Sequence, residues 1–229
     1  MKFRTAHYDS ERAEEIRRRL VENPRSPLSG VLMNDLLVEF GRGYPLQNLR
    51  DFLRSGDPEV VRVGAWIASE LGEMGKPLLD DISRLLTHPE SKIRFSAIDC
   101  LLLWADPSKG AELASVARLI RDAELRVRWK VMDFLSRATT GQLSGALSYL
   151  SAMGPQTSDI SGLQLLLRSD ADAVGQATRA LQDQDGVLRK YGVVLARRIA
   201  EVNRGPLLLA VSNSDPDVKD FAESSISLL

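Results

Sequence analysis

The sequence is short of the residues on which most protein chemistry rests. Its 229 residues include one cysteine and two histidines. A single thiol, Cys100, cannot close an internal disulfide, so a reducing compartment and a cytoplasmic location are expected. His7, His88 and Cys100 do not stand at metal-ligand spacing, and neither a metal nor a cofactor is expected. No serine has a histidine placed by sequence to activate it, which leaves nucleophilic catalysis without its parts. No apolar run approaches the ~20 residues a bilayer requires. Met1-Lys2-Phe3-Arg4 leads into charge rather than a greasy core, so no secretory signal is expected. Charge of one sign is not in excess either. The 30 Lys and Arg against 31 Asp and Glu leave a net charge of -1, without the basic surplus of a dedicated nucleic-acid binder. Strand-like alternation is also missing.

What the chain does have is apolar mass, 44% of its residues. That is enough to bury a core and too much for a disordered polymer. It also has a repeat. Five segments place an apolar residue before a basic one at the start of a helical pattern: Val61-Arg62, Ile93-Arg94, Val127-Arg128, Leu188-Arg189 and Val218-Lys219. Their spacings are 32, 34, 61 and 30 residues, the 61 reading as two units with one degenerate member. Four residues after each anchor stand Ala65, Ala97, Val131, Gly192 and Ala222. Three further on stand Ala68, Cys100, Phe134, Leu195 and Ser225. Offsets of four and seven return to one helical face, so both columns point inward. Second helices are expected between the anchored ones, around Leu49, Ile82, Leu113 and Leu147. Gly41-Arg42-Gly43 reads as a helix stop, and Asp-Pro pairs at 57–58 and 215–216 read as helix starts.

The run from Asp57-Pro58-Glu59-Val60-Val61-Arg62 to Leu71-Gly72-Glu73-Met74-Gly75 resembles a HEAT-like repeat of the phycobilisome-lyase type. Asp215-Pro216-Asp217-Val218-Lys219 repeats its opening. The resemblance spans residues 26–229 and is weakest near 155–184. It implies an all-α fold, a right-handed α-solenoid of six to seven helix pairs whose second helices line a concave face. Residues 1–25 would then be a polar capping helix on a single solenoid domain, with Glu14 and Glu15 neutralising Arg17-Arg18-Arg19. In the degenerate unit, Gly162 and Gly175 fall inside helical patterns, marking the softest place, which reads either as repeat drift or as a flexing point. Ile226, Leu228 and Leu229 are expected to pack on the preceding pair.

The anchored arginines Arg62, Arg94, Arg128 and Arg189 recur with the repeat. Acids stand beside them, so they read as structural partners of carboxylates or carbonyls rather than a phosphate ladder. Two surfaces are candidates for a partner. The second helices would present a mixed-charge concave strip of Arg50, Asp51, Arg54, Asp80, Asp81, Arg84, Glu112 and Arg118. The anchored helices would present a back stripe of Val63, Trp66, Phe95, Trp129 and Met132. It is either an exposed partner site or lateral packing between neighbours. The function expected is a non-enzymatic protein-binding module: a scaffold, adaptor or inhibitor, a toxin-neutralising immunity protein being one form. The alternatives are a HEAT-like DNA glycosylase using Trp104 and Asp106, disfavoured by the missing basic surface, or a chromophore-lyase-like protein.

Overall fold

Helices begin where the sequence supplies an acceptor for their free N–H groups. Asp9, Asp57, Thr139, Thr157, Asp185 and Asp215 cap six of them with side-chain oxygens. Pro58 and Pro216 fill first-turn positions that need no N–H. The structure, a computed structural model, describes residues 8–155, 157–168 and 172–229. His7 and Ala171 lie outside them. The described residues form fourteen α-helices and no strand, so the fold is all-α.

The chain divides into two compact units, one ending at Trp104 and the other beginning at Ala105. The first contains α1 (Ser10–Glu22), α2 (Ser29–Gly41), α3 (Gln47–Leu53), α4 (Pro58–Glu70), α5 (Leu79–Leu85) and α6 (Ser91–Trp104). In it α4 packs on α1, α2, α3 and α6, while α6 also packs on α5. The second contains α7 (Gly110–Arg118), α8 (Leu125–Arg137), α9 (Thr140–Met153), α10 (Ser158–Leu167), α11 (Ala173–Leu181), α12 (Gly186–Arg198), α13 (Gly205–Ala210) and α14 (Pro216–Ser227). There α8, α12 and α14 pack together, α10 bridges α9 and α12, and α11 bridges α12 and α13. The helices succeed one another as seven pairs, the solenoid pattern expected. Both inward columns are buried throughout, from Ala65 and Ala68 to Ala222 and Ser225.

The arginine column closes the turns. Arg94 Nη1 donates to the His88 and Pro89 carbonyls, both at 2.7 Å. Arg128 Nη1 does the same to Asp122 and Ala123, at 2.8 Å each. Arg189 Nη1 reaches Asp183 and Gln184 at 2.9 and 3.0 Å. In each of these turns the residue at the helix entrance also gives its N–H to the side chain two positions back: Glu90 to His88 Nδ1, Glu124 to Asp122, Asp185 to Asp183. The carboxylates engaged differ from those beside the anchors. Arg128 takes Asp217 in a two-bond fork, 2.7 and 2.8 Å, and Arg189 takes Asp215 at 3.0 Å. Arg62 pairs with Glu59 instead.

Three other expectations change. The helix expected as a polar cap, α1, is not set apart: it buries Ala13, Ile16 and Leu20. Tyr44 donates to its Glu14, and buried Glu39 of α2 accepts the Asp9 N–H. At the C-terminus the packed face of α14 is Val218, Phe221, Ala222 and Ser225. Leu228 and Leu229 instead are exposed, because the α14 face that meets its neighbours ends at Ser225. Gly162 is not drift. A Cβ there would lie 2.2 Å from the ring of Tyr191, so its hydrogen is what lets α10 seat against α12.

These pairings set a pH dependence. Glu14 is held below the ordinary 4.5, first by the Tyr44 hydroxyl and then by Arg17. Burial pushes Asp217 up, but Arg128 and Lys190 outweigh it and keep it below the ordinary 3.8. Ser158 is the first cause that lowers Asp185. Because the unfolded chain binds these protons more readily, their stabilisation is complete above the ordinary carboxylate range and disappears as pH falls through the folded-state values. Denaturant midpoints should therefore be flat from pH 7 down to about 5 and fall steadily below it. A midpoint unchanged down to pH 3 would contradict the pairings.

Candidate interaction surfaces

In the first unit, short helices α3 and α5 bring six residues of the expected strip together. Asp81 is their centre and it is buried, not presented: only 4% of it is exposed. Arg50 Nε and Arg54 Nε reach its two oxygens at 2.8 and 2.6 Å, and Arg84 stands 4.0 Å away. Arg50 also donates to the Pro77 carbonyl and to Gln47. The strip is thus partly an internal lock between α3 and α5, which leaves Asp51, Asp80 and the outer parts of Arg54 and Arg84 facing solvent. Glu112 and Arg118 lie on α7 of the second unit, half-buried and exposed respectively.

The back stripe is interrupted. Val63 and Met132 are fully buried. Trp66, Phe95 and Trp129 are partly exposed, and Trp129 meets Phe221 of α14 edge-on with ring centres 5.8 Å apart. α4 packs on α2 and α6, and α8 on α12 and α14, so positions such as Val63 and Met132 that look outward on an isolated helix are covered. Trp104 is also core. It is 1% exposed, donates its indole N–H to the Gly72 carbonyl at 2.6 Å, and occupies the space a Cβ on Gly75 would need. It offers no face for stacking a base. Asp106 is an exposed turn residue accepting from Ser108.

A different surface stands out in the second unit. Residues 138–167 include a single charged residue, Asp159, where the chain's 27% would give about eight in thirty. Asp159 is itself buried and held by Arg121 at 2.5 Å. Helices α9 and α10 form this segment. α9 turns Gln142, Leu143, Ala146 and Leu150 inward, and Gln142 donates to the Ala105 carbonyl. α10 turns Asp159, Ile160, Leu163 and Leu166 inward. Their outer faces are serine, leucine, methionine and glutamine: Ser144, Ser148, Ser151, Met153 and Gln164 are exposed.

Between them runs a groove of about 590 Å³ lined by Leu147 of α9, by Ser161, Gln164, Leu165 and Leu167 of α10, and by Arg168 just past its end. Arg168 is exposed and has no carboxylate partner among the described residues. Exposed Leu209 lines a second groove, of about 450 Å³, but beside the charged pair of residues Asp183 and Arg189. On α2, Val31 and Val38 share their surface with Asp35, which pairs with Arg12. The sequence signal for the α9–α10 face is the run without charge, which the missing repeat anchor overshadowed.

No protein-family model matches the chain, and neither does any curated protein. Solved structures do. A designed armadillo repeat protein in complex with the peptide (KR)4 is 14% identical, covering 95% of this chain and 99% of that one, with a TM-score of 0.49. Two engineered proteins from the Northeast Structural Genomics Consortium are 15% and 13% identical. They cover 96% and 94% of this chain and 90% and 67% of their own, at TM-scores of 0.47 and 0.46. The helical repeat stands on the coordinates; membership of the phycobilisome-lyase-type HEAT family is not shown.

Proposed function

We propose that this chain is a non-enzymatic protein-binding module, an adaptor or stoichiometric inhibitor, and that the face formed by α9 and α10 engages its partner. One observation carries the reading: a thirty-residue segment whose one charged residue is buried and paired, with a groove between its two helices, in a chain otherwise rich in charge. Interface centres are depleted of charge because a desolvated ion must be paired, whereas leucine and methionine are covered with a gain. The exposed remainder of the Arg50–Arg84 strip would serve as a polar rim of a separate contact in the first unit. A toxin-neutralising immunity protein is one form such an inhibitor could take, and a toxin gene beside this one would support it.

The test is affinity capture from source-cell extract with wild-type protein and with a Ser148→Arg/Ser151→Arg variant. Both serines are exposed, so the variant should keep the wild-type melting curve. A partner held at fixed stoichiometry by the wild type should bind the variant at least about tenfold more weakly, because two arginines would be buried unpaired. Equal retention by both proteins would refute the assignment.

A further inference from the structure

Resting on that reading, we infer that the groove between α9 and α10 receives an amphipathic segment of the partner, its apolar side chains between Leu147, Leu165 and Leu167 and its carboxylate on Arg168. About 590 Å³ is room for a few side chains and not for a folded edge. The walls supply three leucines from two helices, a surface for side chains that recur every three or four residues along one face of a helix. Ser161 and Gln164 line the rest and are already engaged within the protein, so they do not demand a polar ligand.

Charge sets the sign of the occupant. Arg168 lines the groove without a carboxylate partner among the described residues, and a guanidinium fork matches a carboxylate in two bonds. No acid lies on the described outer surface of α9 or α10 to repel a negative segment, the one acid between them being buried under Arg121. A single cation does not make a phosphate track, which would require several unopposed ones. The match is one carboxylate beside apolar side chains.

The experiment is selection of a phage-displayed random-peptide library against the full chain and against its Arg168→Glu variant. Arg168 is exposed, so the variant should fold, as its melting curve will show. Wild type should enrich peptides with apolar residues at helical spacing and an Asp or Glu near one end. Their affinity should fall at least about tenfold when that acid becomes lysine. The variant should enrich Lys or Arg there instead. Failure to enrich any peptide, or an acidic preference that Arg168→Glu leaves in place, overturns the inference. If that happens while Ser148→Arg/Ser151→Arg still releases the captured partner, the face binds a folded surface and the proposed function survives. If neither variant affects capture, the proposed function falls as well.

Discussion

Gly162→Ala is expected to lower the unfolding free energy by about 3 kcal/mol, more than most single-methyl insertions. The added carbon would sit 2.2 Å from Tyr191 Cδ2 and 2.3 Å from Cγ, inside a ring that is fully buried and has nowhere to turn. Either α10 moves off α12 or the ring leaves its rotamer. Two other glycines separate this clash from the intrinsic preference for alanine in helices. Gly30 has no heavy atom within 4 Å of its would-be Cβ, so Gly30→Ala should be neutral or stabilise by up to ~1 kcal/mol. Gly175 would meet the ends of the paired Asp172 and Arg179 side chains, both exposed and free to move outward together, so its substitution should also be mild. The partner in the clash is testable directly: with Tyr191→Leu in place, Gly162→Ala should lose much of its effect in a double-mutant cycle. Urea unfolding measures all of these. A loss below about 0.5 kcal/mol for Gly162→Ala would show that the two helices are not so closely seated. Because α10 forms one wall of the groove, the same substitution should also weaken partner capture.

Asp217→Ala should destabilise by a similar amount, about 3 kcal/mol, through charge rather than volume. Asp217 is 5% exposed. It receives both Nε and Nη2 of Arg128 and lies 3.1 Å from Lys190 Nζ. Removing it leaves two half-buried cations facing each other, with Asp215, 3.7 Å from Lys190, as the remaining carboxylate. Replacing Arg128 by Met together with Asp217→Ala should recover part of the loss, since the pair is then absent rather than broken. Additive losses in that cycle would mean that the fork contributes nothing specific. The pair joins residues 89 apart in sequence, so it also reports on whether α8, α12 and α14 have come together.

The helices, their caps and their inward columns were legible in the chain because each depends on residues within a turn or two of one another. Val61, Ala65 and Ala68 declare a buried face without reference to anything distant, and Asp57-Pro58 declares where the helix starts. Surfaces were not legible in the same way. Whether Val63 faces solvent depends on helices elsewhere in the chain, and an isolated helical wheel cannot show that it is covered. Asp81 looked like a presented acid because its spacing on α5 is outward, but Arg50 and Arg54 arrive from another helix to enclose it. Gly162 looked like decay of the repeat because the residue that requires it, Tyr191, belongs to a later helix. The α9–α10 face was recorded in the composition as a gap in charge. The repeat anchor is missing from the same stretch, so the gap coincides with what looks like decay of the motif.

The arginine-closed turns have a consequence for how the chain is made. Asp183 and Gln184 supply the carbonyls that Arg189 holds, and Asp183 also caps Asp185, so every atom of that lock lies within seven consecutive residues. The turns before α6 and α8 are equally self-contained. A nascent chain leaving the ribosome can therefore fasten each corner as soon as that short stretch is free, before the next helix has been synthesised, with only the links to Asp215 and Asp217 waiting for the last segment to emerge.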